Sequence, residues 1–304
     1  MTYILLQIIA MLSLGVIWSV FRPAGLDIAI VRNAISNSVF YVFLPALIID
    51  ILWHAPLDIT SFKISASAAI GITGSLLLAY WICRLCRNSR DVTGAIMLAA
   101  AFPNATYIGL PLLEHSFGSW ARSIVIQFDM FACFPLVMTL GIYIANRYGN
   151  HPHKDQTMTA FLKAVPLWAV VLAVMLNVFQ IEPTPWIAEL LGSLGNVVIP
   201  LMLFSTGLAL TLGLKEWRKL TAVVPVAFIQ LLFMPMLVWL VANGFSISGE
   251  TLKALVIEAA IPSMALGITL SDRYGLNTGV YAAAFTLTTL LSFISLPLWF
   301  EYLS

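Results

Sequence analysis

Long apolar segments recur along nearly the whole chain, and they constrain its fold more than any other feature. Hydrophobic residues make up 61% of the 304 residues and charged residues only 10%, which is far from the composition of a water-soluble domain. A helix needs about 20 apolar residues to cross a hydrocarbon core of roughly 30 Å. We count ten segments of this kind, at residues 3–21, 34–54, 64–84, 92–117, 121–146, 160–180, 184–212, 219–243, 250–272 and 276–302. They are apolar on all sides instead of alternating, which predicts an all-α integral membrane protein with ten transmembrane helices.

Basic residues are unevenly distributed between the loops on the two sides of these segments. Lys and Arg accumulate in loops that stay in the cytoplasm. Taking alternate loops, the richer side carries Arg22, Arg32, Arg84, Arg87, Arg90, Arg147, Lys154, Lys163, Lys215, Arg218, Lys219 and Arg273. The other side carries only Lys63, Arg122 and Lys253. This bias predicts a multi-pass protein of the plasma membrane with both termini on the outer face. The first segment has no basic leader and no small-residue cleavage pattern before Arg22, which predicts a retained helix instead of a signal peptide.

The two halves of the chain correspond at a constant offset of 159 residues. The predicted helix boundaries follow this offset, and Asn37 falls on Asn196. An alanine-rich run that ends at Pro103 falls on a similar run that ends at Pro262. The alternative explanation is a chance match between alanine-rich helices.

This correspondence divides the chain into two repeats of five helices. We predict a first repeat at 1–146, a cytoplasmic linker at 147–159 and a second repeat at 160–304. Because five is an odd number, the second repeat must enter the membrane from the opposite face. Inverted repeats of this kind are typical of secondary transporters.

Helices 4 and 9 are each interrupted by a proline near their middle, Pro103 and Pro262. Proline removes a backbone donor, and the carbonyls that it frees inside a membrane need partners in the protein or in a wet cavity. Half-helices that start after the two prolines would point their positive ends at the bilayer midplane, which favours an anion there. Asn104, Thr106 and Ser263 follow the prolines and are candidate ligand contacts. The alternative is an ordinary proline kink in each helix.

Four further polar residues lie inside the apolar segments. Asn37 and Asn196 are candidates to line the same cavity. Glu258 lies one helical turn before Pro262, and because an ionised carboxylate is costly in a bilayer, it is a candidate proton carrier. The alternative is a neutral Glu258 that forms hydrogen bonds with the unwound backbone of helix 9. Asp129, within helix 5, is a second candidate for proton coupling.

Other chemistry-bearing residues give no sign of an enzyme, a metal centre or a cofactor. Cys83, Cys86 and Cys133 have neither the number for a disulfide framework nor the spacing for a metal site. No Ser-His-Asp set, HExxH pattern or phosphate-binding glycine loop is present. Asp50 and His54 are predicted to form a pair at the membrane interface. The net charge of +1, with basic residues scattered over short loops, predicts no nucleic-acid partner.

Five strings, in order along the chain, resemble the auxin efflux carrier family of permeases. They are FYVFLPALI at 40–48, PNATYIGLPLL at 103–113, PLMLFSTGLAL at 200–210, EAAIPS at 258–263 and DRYGLN at 272–277. The resemblance covers essentially the whole chain. The chain lacks the long central loop of the plant members. It therefore resembles a compact bacterial member of the inner membrane, similar to permeases for malonate and other small organic acids.

The resemblance implies a fold similar to bile-acid and sodium/proton transporters, in which helices 4 and 9 cross at their broken centres. It also implies a scaffold of helices 1, 2, 6 and 7, a mobile domain of helices 3–5 and 8–10, and a homodimer formed through the scaffold. The crossover asparagine of the family carries over to Asn104. Ser263 stands where plant members differ, and the paired acidic crossover residues of sodium/proton antiporters are absent.

We therefore predict a secondary transporter for a small organic anion, such as a mono- or dicarboxylate, that works by movement of one domain against the other. The anion is expected to dock between Pro103, Asn104, Thr106, Pro262 and Ser263. One alternative is a cation/proton antiporter that uses Glu258. The other is a membrane sensor that keeps a carrier fold without flux. No cofactor is expected, and the partners are the substrate, the lipid bilayer and a second copy of the chain.

Overall fold

A computed structural model of the chain describes residues 2–23, 25–151, 162–214, 216, 219 and 222–303, all of them in helices or their connections. The helices are α1 (Thr2–Phe21), α2 (Ile28–Trp53), α3 (Ile59–Leu85), α4a (Arg90–Ala101) and α4b (105–117), α5 (Ala121–Tyr148), α6 (Val165–Val178), α7 (Pro185–Leu214), α8 (Val224–Gly244), α9a (Gly249–Ala259) and α9b (Leu266–Tyr274), and α10 (Thr278–Leu303). The all-α prediction is confirmed for these residues. Most of the predicted linker at 147–159 lies outside the described residues.

Seven of these helices are long and apolar enough to cross a membrane: α1, α2, α3, α5, α7, α8 and α10. The apolar helix α6 is shorter, with 14 residues. The remaining segments form two interrupted pairs, α4a with α4b and α9a with α9b, and the interruptions fall at the two prolines singled out above. A multi-pass membrane protein follows from the seven long helices alone.

Four prolines within the helices each follow a locally wider turn. The proline ring clashes with the carbonyl four residues earlier, and a π turn, which bonds residues five apart, changes the position of that carbonyl. Each of four π turns ends two residues before a proline. The pairs are Val39–Phe43 with Pro45, Ala105–Gly109 with Pro111, Asp129–Cys133 with Pro135, and Ile229–Phe233 with Pro235.

The helices pack in two groups. In the first, α1 lies along the second half of α7, and the second half of α2 contacts α6 and the first half of α7. In the second, α3 contacts α4a and α8, α8 contacts α9a, α10 contacts α4a, and α5 contacts α4b and α9a. The two groups also contact each other, through α7 with α10 and α4b, α2 with α5, and α1 with α4b. The broken helices therefore lie inside the second group.

Two glycines allow α1 and α7 to approach closely. A Cβ atom on Gly15 would lie 2.2 Å from the carbonyl oxygen of Phe204, and one on Gly207 would lie 2.1 Å from that of Leu12. Backbone therefore touches backbone, which is the kind of contact that small residues permit between membrane helices.

Candidate functional site

The two interrupted helices meet where their chains are unwound. Pro103 and Ser263 face each other in a short antiparallel bridge. The Asn104 N–H donates to the Pro262 carbonyl over 2.8 Å, and the Met264 N–H donates to the Phe102 carbonyl over 2.9 Å. Each arm thus supplies backbone partners that the other arm lacks, as buried irregular backbone requires.

The bridge is displaced by one residue from the sequence correspondence. The offset of 159 residues places Pro103 over Pro262, whereas the structure pairs Pro103 with Ser263. The two backbone hydrogen bonds surround this pair symmetrically, one on each side. The meeting point therefore involves a proline on one arm and the residue after the proline on the other.

Ser263 satisfies a carbonyl that Pro103 leaves without its helical partner. Pro103 has no N–H, so the Ala99 carbonyl, four residues earlier, receives no backbone bond from it. The Ser263 hydroxyl donates to this oxygen over 2.6 Å. Thr288 Oγ1 on α10 lies 3.1 Å from Ser263 Oγ and 3.3 Å from its backbone nitrogen. The fully buried Ser263 therefore joins both arms to α10, and its predicted ligand contact stays a prediction.

A cavity of about 70 Å³ lies beside the meeting point, between α2 and the second group of helices. Its lining is Phe40, Leu44, Pro103, Asn104, Ala105, Thr106, Tyr107, Asp129, Met130, Cys133, Phe134, Val137, Met264 and Leu266. Four predicted site residues, Pro103, Asn104, Thr106 and Asp129, thus share this cavity. Pro262 and Ser263 belong to the crossing but are not among its lining residues.

The polar groups of the cavity differ in how they are bonded. Asn104 is 3% exposed, and its side-chain Nδ2 has no hydrogen-bond partner among the described residues. The Thr106 hydroxyl donates to Asp129 Oδ2. Asp129 begins the π turn of α5, and the Cys133 thiol is another hydrogen-bond partner of its carboxyl group. Asn104 therefore presents an unused donor, while the donor of Thr106 is engaged.

Glu258 is fully buried on α9a, and neither of its carboxyl oxygens has a partner within the described part of the chain. It packs on Gly109 of α4b, where a Cβ atom would lie 2.2 Å from Glu258 Oε2. The alternative predicted hydrogen bonds from Glu258 to the unwound backbone of helix 9, and the described residues contain no such bond. Glu258 does not line the cavity, and its role as a proton carrier stays a prediction.

The two predicted asparagines lie apart from this cavity. Asn37 and Asn196 are exposed and are not among the lining residues. Asn196 ends the first part of α7. Their contact with a ligand therefore stays a prediction.

The interfacial pair of Asp50 with His54 was predicted wrongly. The Asp50 carboxylate accepts from Arg122 on α5 over 3.3 Å, while the His54 ring lies 3.4 Å from the backbone oxygen of Asp50. A long arginine that reaches from another helix competes better for the carboxylate than a neighbour on the same helix end. Arg32 makes a similar contact between helices, to Thr269 of α9b over 3.4 Å.

Three buried residues that support the crossing were missed by the sequence reasoning. Gln230 on α8 donates to the Ile261 carbonyl over 2.9 Å, and the Tyr281 hydroxyl donates to the Met264 carbonyl over 2.9 Å. Thr288 contacts Ser263 as described above. Polar side chains in the middle of apolar segments were the available signal, because such groups seek partners inside the protein.

Comparisons with known proteins also indicate a membrane transporter. The family model described as "Membrane transport protein" matches residues 2–300. An uncharacterized transporter of Methanothermobacter thermautotrophicus is 27% identical over 300 residues, covering 98% of this chain and 97% of the relative. An uncharacterized transporter of Methanocaldococcus jannaschii is 24% identical over 209 residues, covering 68% of this chain and 67% of the relative.

Proposed function

Because this chain belongs to the membrane transport protein family, the family of the auxin efflux carriers, we propose that it is a secondary carrier of a small organic anion. The family is one of membrane transporters, and the resemblance drawn from the five sequence strings is thereby confirmed. A mono- or dicarboxylate such as malonate, or an auxin-like acid, is the proposed substrate. The proposed location is the cell membrane, in ten crossings, with both termini on the outer side.

The single observation that carries this proposal is the meeting of two interrupted helices beside a cavity with a free amide donor. The Asn104 Nδ2 group is buried and unpartnered, and an unpaired buried donor is costly unless a ligand satisfies it. An anionic carboxylate is a strong acceptor for such a donor. We place the substrate carboxylate on Asn104, with Thr106 and the chain after Pro103 and Pro262 around it.

The packing of the helices supports two inverted repeats of five. Each helix has a counterpart five helices away in the other repeat. When every helix is replaced by its counterpart, the contact of α1 with α7 becomes the contact of α6 with α2, and the contact of α4a with α10 becomes the contact of α9a with α5. The same replacement turns the contact of α3 with α4a into that of α8 with α9a. A pattern that returns to itself under this exchange is what two structural repeats produce, and an odd number of crossings in each repeat makes them inverted.

The two packing groups support the proposed division of labour. Helices α1, α2, α6 and α7 would form the scaffold and the dimer contact, and the remaining helices would form the mobile domain that carries the crossing. The cavity lies between α2 of the first group and the crossing in the second. Movement of one group against the other would expose the site to alternate faces of the membrane.

The test is counterflow of radiolabelled malonate, auxin and other carboxylates in liposomes that contain the purified protein. We expect Asn104→Ala to abolish counterflow while the protein still inserts and folds. The matched control is Asn243→Ala, because Asn243 is exposed at the end of α8 and its side chain donates to the Trp239 carbonyl of its own helix. Undiminished counterflow in Asn104→Ala would refute the site. Ligand-dependent thermal stabilisation without any flux would favour a sensor instead.

Cation/proton exchange is a second candidate function, favoured by the buried and unpartnered Glu258. Under this alternative, the liposomes would exchange protons for Na⁺ or K⁺ with no organic anion present. Glu258→Gln would abolish this exchange. Cation exchange that persists in Glu258→Gln would contradict the assignment.

A further inference from the structure

The cavity proposed for an anion contains an acid of its own. Asp129 lines it together with Asn104 and Thr106, and no lysine or arginine is among the lining residues. The Thr106 hydroxyl, one of the two donors that we assign to the substrate, already donates to the Asp129 carboxylate. A substrate carboxylate and an ionised Asp129 would therefore compete for the same hydrogen atom.

Among the described residues, the surroundings of Asp129 offer no positive charge to offset a second negative one. The titratable groups that face it are Tyr107 on α4b, Cys133 on its own helix and Glu258 on α9a. Each of these three side chains carries either no charge or a negative charge, whatever the pH. Two carboxylates that share a small enclosed space repel each other strongly, and binding of one proton between them removes the repulsion.

We propose that Asp129 binds the proton that accompanies the organic anion, so that the protein is a proton/anion symporter. This inference rests on the proposed function. A proton from the aqueous side adds to an Asp129 carboxyl oxygen and neutralises it. The Thr106 hydroxyl is then free to turn from Asp129 to the substrate carboxylate, which also accepts from Asn104 Nδ2. After the site opens to the other side, the anion leaves, the proton dissociates from Asp129, and Thr106 bonds to Asp129 again.

The geometry favours Asp129 over Glu258 for this role. Glu258 packs on Gly109 and is absent from the cavity lining, whereas Asp129 is bonded to a residue of the site itself. A proton on Asp129 therefore changes the donors that meet the anion directly.

The experiment compares two assays of radiolabelled malonate in liposomes that contain the full chain. Counterflow at equal pH measures binding and exchange, and uptake driven by an inward proton gradient measures coupling. We expect the wild-type protein to accumulate malonate with the gradient. Asp129→Asn is a neutral imitation of the protonated acid, and we expect it to keep counterflow and lose gradient-driven accumulation. Glu258→Gln makes the same change from acid to amide at the other candidate proton carrier, outside the cavity, and we expect gradient-driven accumulation to persist in it.

A second measurement covers the possibility that Asp129→Asn does not fold. In weakly buffered detergent solution above neutral pH, where malonate is fully ionised, a pH indicator should report one proton taken up for each malonate bound by the wild-type protein. Gradient-driven accumulation that persists in Asp129→Asn, its loss in Glu258→Gln alone, or binding without proton uptake would each overturn the inference. Counterflow without coupling would leave the proposed function standing, whereas no binding or flux of any tested carboxylate would refute the proposed function itself.

Discussion

Replacement of Ser263 by alanine tests whether its hydroxyl supports the crossing or contacts the substrate. The hydroxyl donates over 2.6 Å to the Ala99 carbonyl, and both residues are fully buried. Hydrogen bonds between membrane helices contribute only about 0.6 kcal/mol on average, because the groups find other partners. Here Pro103 prevents the Ala99 carbonyl from regaining its own helical bond. We therefore expect a cost nearer that of a buried unsatisfied group, about 1–3 kcal/mol of the free energy of unfolding.

The assay is equilibrium unfolding of the purified protein in detergent, together with malonate counterflow. Ser67→Ala is the matched control, because Ser67 is also fully buried but bonds over 2.8 Å to the Lys63 carbonyl of its own uninterrupted helix. We expect this control to lose no more than about 0.6 kcal/mol. Equal losses in the two variants would refute the reasoning. A fall in apparent malonate affinity in Ser263→Ala at unchanged stability would show instead that the hydroxyl serves the substrate.

Three further changes test the packing, an ion pair and a helix cap. Gly207→Leu should push α1 away from α7 and lower the free energy of unfolding by about 1–3 kcal/mol. Gly192→Leu in the same helix should fold normally, because a Cβ atom there would have no atom within 4 Å. Equal thermal stability of the two variants would contradict the close contact. A double-mutant cycle of Asp50→Ala and Arg122→Ala should give a coupling free energy of about 0.2–1 kcal/mol, because both side chains are about one quarter exposed. A coupling free energy of zero would show that this ion pair does not stabilise the protein. Backbone N–H groups at the start of α3 hold the pKa of Asp58 below its usual range. As a helix cap, Asp58 should stabilise the protein by about 1 kcal/mol relative to Asp58→Ala, fully above the ordinary carboxyl pKa and less as the pH falls through the lowered pKa. A difference in unfolding free energy that does not depend on pH would contradict this.

Local chemistry explains what could be predicted from the sequence about the crossing. The breaks at Pro103 and Pro262 follow from the missing proline N–H, which acts within one helical turn wherever the segment lies. Asn104, Thr106 and Asp129 stood out because polar residues are rare inside apolar segments, and all three line the cavity. Such signals are properties of short stretches of chain, so they can be recognised without knowing the fold.

Partner choice could not be predicted in the same way. Asp50 was expected to pair with His54, four residues away, but it accepts from Arg122, 72 residues away. The Ser263 hydroxyl donates to Ala99 on the other arm, 164 residues away, a partner that the sequence did not indicate, and its predicted ligand contact stays a prediction. In each case a group from another helix competes with the local neighbour, and the distance that decides the outcome is set by packing.

The register of the crossing shows the same limit. The offset of 159 residues placed proline over proline, but the bridge pairs Pro103 with Ser263. The N–H groups that form the bridge belong to Asn104 and Met264, one residue after each member of the pair, so no proline has to donate. Other helices hold the second arm on both sides of the bridge, because Gln230 donates to the Ile261 carbonyl and Tyr281 to the Met264 carbonyl.

The sequence by itself determined that the chain is helical and apolar, where its two central helices are interrupted, and which family it belongs to. These properties depend on composition, on proline and on the order of short motifs, all of which act locally or are simply inherited. Only the tertiary structure decided that Asn104 Nδ2 has no partner among the described residues while Thr106 is bonded to Asp129, and that Glu258 lies against Gly109 outside the cavity. Hydrogen bonds and burial of this kind depend on distances of a few tenths of an ångström between helices that are far apart in the chain, and those distances are set by the packing of the whole bundle.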